Sequence, residues 1–242
     1  MNKCKLNKTI IGVLFLILIF IIAQQPVVKA EPTGAKITSS TTDEISLPAA
    51  SLTTAGGSMT TMVLNITQQN PRWKAYVGNV TGILTLDDGN NYSIYDWSLT
   101  SISGEVYASR NASISWSNIA CAQTSLIENE CSVLNHTVDA EDSINTTFVA
   151  RVHKTLYVGT TKISNSTCKS IATYINDTAQ TSSENALFQE VLLQDGTSFI
   201  YATILEQNEG GFNNGLYDFQ MIVAEDEFLQ TPTTYYFYAE IG

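Results

Sequence analysis

Residues 84–95 read LTLDDGNNYSIY, and residues 191–201 read VLLQDGTSFIY. Each has an apolar pair, then Asp-Gly, then an aromatic residue ahead of Ile-Tyr. An acidic residue and Gly between two strand-like runs is hairpin chemistry, with Gly supplying a positive φ. The knot DDGNN is therefore read as a turn. An EF-hand loop ends in a bidentate Glu at position 12, whereas counting from Asp87 or Asp88 arrives at Ser98 or Leu99. Asp87, Asp88 and Asn90 are left as candidates for a looser surface calcium site.

The same grammar extends in both directions. From Met59 onward the chain is a series of short runs rich in β-branched and aromatic residues, broken by Gly, Asn and Asp: TTMVLNIT, RWKAYVGNVTGILTL, YSIYDWSL, GEVYAS, TLYVG, SIATYI, ALFQEVLLQ, SFIYATILE, LYDFQMIVAE and TYYFYAEI. Many short strands with tight turns predict a mainly β chain, with one immunoglobulin-like or jelly-roll-like sandwich over residues 59–242. Asn214-Gly215 marks another hairpin turn. In the last run Tyr235, Phe237, Ala239 and Ile241 fall on one face and Thr234, Tyr236, Tyr238 and Glu240 on the other, which predicts one buried and one wetter face.

Helical spacing occurs only in residues 117–147, where Ile119, Leu126, Ile127, Val133 and Leu134 form a stripe and Ser117 is a plausible N-cap. Residues 31–58 are rich in Ser, Thr, Ala and Gly and are read as a flexible arm.

The first thirty residues place the chain in a compartment. Lys3, Lys5 and Lys8 precede an apolar stretch at 10–23, and QQPVVKA follows. This is the pattern of a secretory signal helix, with cleavage expected after Ala30. The stretch is 14 residues long, whereas a spanning helix needs about 20. Membrane contact is thus expected only through an uncleaved signal. Cys4 lies in the basic region and leaves with it.

Removing residues 1–30 takes away four lysines and no acid, which leaves 8 basic against 23 acidic residues, a net charge of −15. Nucleic acid is excluded as a partner, because phosphate binding needs clustered Lys and Arg. Asn-x-Ser/Thr occurs at Asn65, Asn79, Asn91, Asn111, Asn135, Asn145, Asn165 and Asn176. Chance pairing of the 16 Asn with the 50 Ser and Thr after residue 30 would give about four such motifs, so eight point to N-glycosylation at the surface.

Cys121, Cys131 and Cys168 remain after cleavage, and an odd count in an exported chain implies one disulfide and one thiol. On a continuous helix Cys121 and Cys131 stand about 15 Å apart, too far to bridge. Cys168 is then the partner of one of them, and the edge of the apolar stripe slightly favours Cys131. No Cys-x-x-Cys occurs, and His136 and His153 are 17 residues apart, so neither a metal nor a cofactor is expected. Both histidines are read as ordinary surface or satisfied residues.

No nucleophile elbow, P-loop, His-Glu-x-x-His or dinucleotide Gly motif is present. Asp96, Glu105, Glu190, Asp218 and Glu225 could supply a carboxylate pair for glycoside hydrolysis, a choice only geometry can make. Trp73, Trp97 and Trp116 could form a sugar-stacking platform, though Trp more simply anchors a β-core. The arm and the all-β body are the parts required for strand donation between subunits, with weak alternation in AKITSS and EISLPAASL, the latter broken by Pro48.

The runs WKAYVGNVTG, YDWSL, GEVYASR, WSNIACA, DFQMIVAED and TTYYFYAEIG resemble those of a family of exported archaeal proteins that occur in several copies per genome. The resemblance covers residues 60–242. It implies export, a shared β-fold and a Cys121–Cys168 bridge with Cys131 as the extra cysteine, and it adds no catalytic or ligand residue. The expectation is a secreted cell-surface protein with a structural or adhesive role, whose partners are other surface proteins, its own copies or glycans. A strand-donating filament subunit or a carbohydrate-binding module is the alternative, and a hydrolase comes last.

Overall fold

The computed structural model describes residues 31–45, 48–226, 228 and 231–242. The expected signal helix and the cleavage point at Ala30 lie outside the described residues.

In chain order the strands are β1 (Thr33–Gly34), β2 (Trp73–Gly78), β3 (Ile83–Asp87), β4 (Ser93–Ser98), β5 (Gly104–Ser109), β6 (Ala120–Cys121), β7 (Leu156–Val158), β8 (Thr161–Ile163), β9 (Ser170–Ala172), β10 (Gln189–Gln194), β11 (Phe199–Ile204), β12 (Glu209–Gly210), β13 (Leu216–Tyr217), β14 (Phe219–Ala224) and β15 (Tyr236–Ile241). Helix α1 (Thr124–Val133) and the single turn α2 (Ile144–Thr147) lie between β6 and β7. The chain is mainly β, and its sheets are antiparallel.

The main sheet runs β1-β15-β5-β11-β10, and the far edge of β10 is shared by β6 and β9. Its register sets two faces. Tyr201 lies opposite Ala108 and Leu192, which puts these three on one side with Val106 and Phe199. The β2–β14 sheet and the two helices cover that side through Met221, Val223, Ile127, Leu134, Ile144 and Phe148. On the other side Tyr107, Val191, Leu193, Ile200 and Ala202 pack against Leu156, Val158 and Ile163 of the β7–β8 hairpin. Strands β5, β10 and β11 are thus buried on both faces. Each fully buried Leu or Ile there contributes about 1.5–3 kcal/mol.

The structure shortens the helix expected over 117–147. Residues Trp116–Asn118, including the expected cap Ser117, form a 3-10 turn. Ala120 and Cys121 pair instead with Gln194 and Leu193 of β10, and Ala122 N–H donates to Leu192 O at 3.0 Å. Those backbone groups belong to the sheet, so α1 begins only at Thr124. Its buried face is Ile127, Glu130 and Cys131, while Val133 is exposed. Arg110 on the sheet grips Glu130 with two 2.7 Å bonds, Nε to Oε1 and Nη2 to Oε2. Asn135, at φ 58°, turns the chain out of the helix, as the left-handed residue after a helix end does.

Three other expectations change. TTMVLNIT forms no strand, and its Met62, Val63, Leu64 and Ile66 are exposed. The expected wetter face of the last strand is not uniformly wet: Tyr236 is exposed, but Glu240 is buried beneath the β7–β8 hairpin. The arm is held at its start, where Thr33 and Gly34 pair with Ala239 and Tyr238.

Candidate functional site

The hairpin β3–β4 projects from the body with almost every residue exposed. Leu84 lies opposite Trp97 and Leu86 opposite Tyr95, while Thr85 lies opposite Asp96. Side chains alternate along a strand, so Leu84, Leu86, Tyr95 and Trp97 share one apolar face and the carboxylate of Asp96 points to the other. Tyr95 is 61% exposed and Trp97 45%. Their rings are 4.9 Å apart and tilted by 60°. Rings at that angle cannot both lie flat against one sugar, which weakens the stacking-platform idea at this pair.

The turn is built as its residues suggest, with one change. Asp88 Oδ1 accepts from the N–H groups of Asn90 and Tyr92 at 2.8 and 2.9 Å. These bonds, that from Tyr92 first, hold the Asp88 carboxyl below its usual range. Asp87 Oδ1 accepts from Ser93 Oγ at 2.6 Å. The positive φ, 64°, falls on Asn91 and not on Gly89; at the second hairpin of this kind Gly196 takes it, at φ 99°. The calcium candidates Asp87 and Asp88 are thus engaged by the turn, and no group of three or more His, Cys, Asp or Glu suited to a metal occurs among the described residues.

Neither outer edge of the hairpin pairs with a further strand among the described residues. A two-stranded hairpin alone is marginal in water, and its open edges are templates for another strand. Residues 59–66, in the same chain, are apolar, exposed and without a strand of their own.

The hydrolase candidates are scattered. Glu190 is fully buried on one face of the main sheet, where burial raises its carboxyl well above the usual range. Its Oε2 accepts from Ile222 N–H at 2.9 Å, and its Oε1 has no partner among the described residues. Glu105 is buried on the opposite face. Asp218 binds the N–H groups of Val80 and Asn208 at 2.8 and 2.9 Å. Glu225 ties Lys74 to the N–H and hydroxyl of Thr233, and Asp96 lies on the exposed hairpin. What the structure does bring together is Glu105 and Glu240, directly opposite on β5 and β15. Gly159 N–H donates to Glu240 Oε2 at 2.8 Å, and Tyr107 hydroxyl donates to it at 3.3 Å. Burial, with these two carboxylates beside it, raises the Tyr107 hydroxyl well above its usual range. The pair is closed over by packing, and the shallow concavities at Ile45 with residues 67–69 and along residues 93–96 lie elsewhere.

Of the two readings offered for the histidines, surface or satisfied, the structure takes the second: both are buried and hydrogen-bonded. His153 Nε2 accepts from the N–H groups of Thr167 and Cys168 at 3.1 and 3.0 Å, so the proton is on Nδ1, which donates to Lys154 O at 2.6 Å. His136 Nε2 donates to Glu225 O at 2.8 Å. Trp73 and Trp116 belong to the core, Trp73 donating from Nε1 to Asp142 O at 2.7 Å and Trp116 lying 5.1 Å from both Tyr107 and Tyr238. Of the three tryptophans only Trp97 is offered to solvent.

The disulfide joins Cys121 to Cys168, and the alternative with Cys131 is overturned, since Cys131 is a buried free thiol. Seven sequon asparagines are exposed: Asn65, Asn79, Asn91, Asn111, Asn135, Asn165 and Asn176; Asn145 is half-buried. The sequence reading placed a hairpin at 84–95 but did not single out the apolar face that its strands share. The alternation of Leu84 and Leu86 with Tyr95 and Trp97 about that turn is the signal that could have found it. No family model matches the chain, and no curated protein or solved structure was found to match it.

Proposed function

We propose that this is an exported, N-glycosylated cell-surface protein that works by contact, with the β3–β4 hairpin as its adhesive element. The carrying observation is the apolar face shared by Leu84, Leu86, Tyr95 and Trp97, of which Leu86, Tyr95 and Trp97 are exposed to solvent. Solvent-exposed apolar faces on a cored protein mark interaction surfaces, and Tyr and Trp are the residues that dominate such contacts. Export is supported by the basic-apolar-small pattern of residues 1–30, by the disulfide, and by the resemblance to exported archaeal proteins. Surface glycosylation is supported by the exposure of seven of the eight sequons.

The test is binding of purified, labelled protein to envelopes of the cells that produce it, compared with Tyr95→Ala and Trp97→Ala. Both positions are exposed, so the body should fold unchanged. Removal of a hot-spot aromatic costs about 2 kcal/mol, a loss of roughly thirtyfold in affinity. Equal binding by both variants removes the hairpin from the function.

A further inference from the structure

Resting on that reading of the hairpin, we infer that its occupant is a second copy of this chain, whose residues 59–66 add as a third strand to an open edge of β3–β4. The acceptor is a hairpin with two unpaired edges among the described residues. The donor has what a strand requires and no strand to join. Met59 is 95% exposed and Val63 96%, and Met62, Leu64 and Ile66 are exposed beside them. No proline falls between Pro48 and Pro71 to interrupt a ladder.

Strand alternation puts Met62, Leu64 and Ile66 on one face, where they extend the surface of Leu84, Leu86, Tyr95 and Trp97. Asn65 and Val63 then point the other way, so a glycan on Asn65 stays outside the contact.

Charge selects the arm over a second hairpin. Residues 82–98 carry Asp87, Asp88 and Asp96 and no base, so hairpin against hairpin brings two such sets together. Residues 49–70 carry no ionisable side chain. Like charges directly opposed in a sheet are destabilising, and a neutral donor avoids them.

Reach selects another chain over the same one. Asn70, Arg72 and Trp73 are tied to Asp142 by bonds of 2.9, 2.9 and 2.7 Å at the Trp73 end of β2, whereas the chain passes to the hairpin from its Gly78 end. Asn70 is four residues on from Ile66, a span of about 14 Å at full extension. Strand β2 alone is six residues, about 20 Å. The Gly78 end of β2, where the chain leaves for the hairpin, is thus farther from Asn70 than that span, which favours a donor from another chain.

The test is complementation followed by light scattering, with the exported chain from micromolar to millimolar concentration. Leu64→Pro disables the donor at an exposed position that bears no structure, and Tyr95→Ala with Trp97→Ala disables the acceptor. Wild type should associate with rising concentration, each variant should shift the midpoint at least about tenfold, and an equimolar mixture of the two should recover a one-to-one complex. A wild-type protein that stays monomeric overturns the inference, and so does self-association that Leu64→Pro leaves intact. If Leu64→Pro is silent while the aromatic variants lose envelope binding, strand donation falls and the adhesive hairpin stands; if the aromatic variants also keep envelope binding, both fall.

Discussion

Cys121 and Cys168 are joined across 47 residues, and their bridge staples the two short strands that share one edge of β10. Cys121 ends β6 and Cys168 leads into β9, so one bond holds together two pieces that backbone pairing alone holds by two and three residues.

Loop-closure entropy for a loop of this length is about 4 kcal/mol. Cys121→Ser combined with Cys168→Ser should therefore lower Tm by on the order of 10 °C, given about 2–4 °C per kcal/mol for a chain of this size. Calorimetry of the oxidised protein against the variant checks it. Cys131→Ser should leave the bridge intact, and a free-thiol assay on the unfolded wild-type chain should find Cys131 without its two partners.

His153 sits beside that bridge and orients its approach. Burial holds the imidazole below its ordinary range, so the folded chain keeps it neutral while the unfolded chain takes up a proton. Its contribution is complete above about pH 6.5 and is lost as the pH falls below it. His153→Phe strands the N–H groups of Thr167 and Cys168, at about 1–3 kcal/mol each. Urea unfolding from pH 7.5 down to pH 5 should show wild type losing stability faster than the variant. Parallel curves would remove His153 from the pH dependence.

Glu190 has the opposite dependence. Its carboxyl is raised by burial, so its part of the stability is complete below the unfolded value near 4.3 and is lost as the pH rises toward the folded one. Glu190→Gln keeps an acceptor for Ile222 N–H and stays neutral. It should melt higher than wild type at pH 7 by at least about 2–4 °C, the equivalent of about 1 kcal/mol, with the difference closing near pH 4. Equal melting at pH 7 would contradict a buried neutral acid.

Asn145 should be the sequon left bare. It is half-buried in α2, and its backbone O and Oδ1 accept from Lys169 Nζ at 3.2 and 2.7 Å. Glycopeptide mapping of the native protein should find glycan at exposed sites such as Asn65, Asn79 and Asn91 and none at Asn145. Occupancy at Asn145 would require glycan addition before α2 packs.

Local chemistry determined much of this protein. Asp-Gly and Asn-Gly turns between β-branched runs specified β3–β4, β10–β11 and β12–β13, because a hairpin is formed by residues close in the chain. The last strand was legible from its own run of aromatic residues, although its partners β5 and β1 are distant in the chain and its expected wetter face carries the buried Glu240. What pairs or covers a strand is not local. The helix starts seven residues beyond Ser117 because β10 claims Ala120 and Cys121, and nothing near those residues announces β10. Likewise Glu240 is buried because residues 157–159 close over it, and TTMVLNIT stays exposed because it pairs with no strand among the described residues. Periodicity specifies which side chains share a face. Only the folded arrangement decides whether that face meets core, solvent or another chain, since burial depends on what long-range packing brings against it.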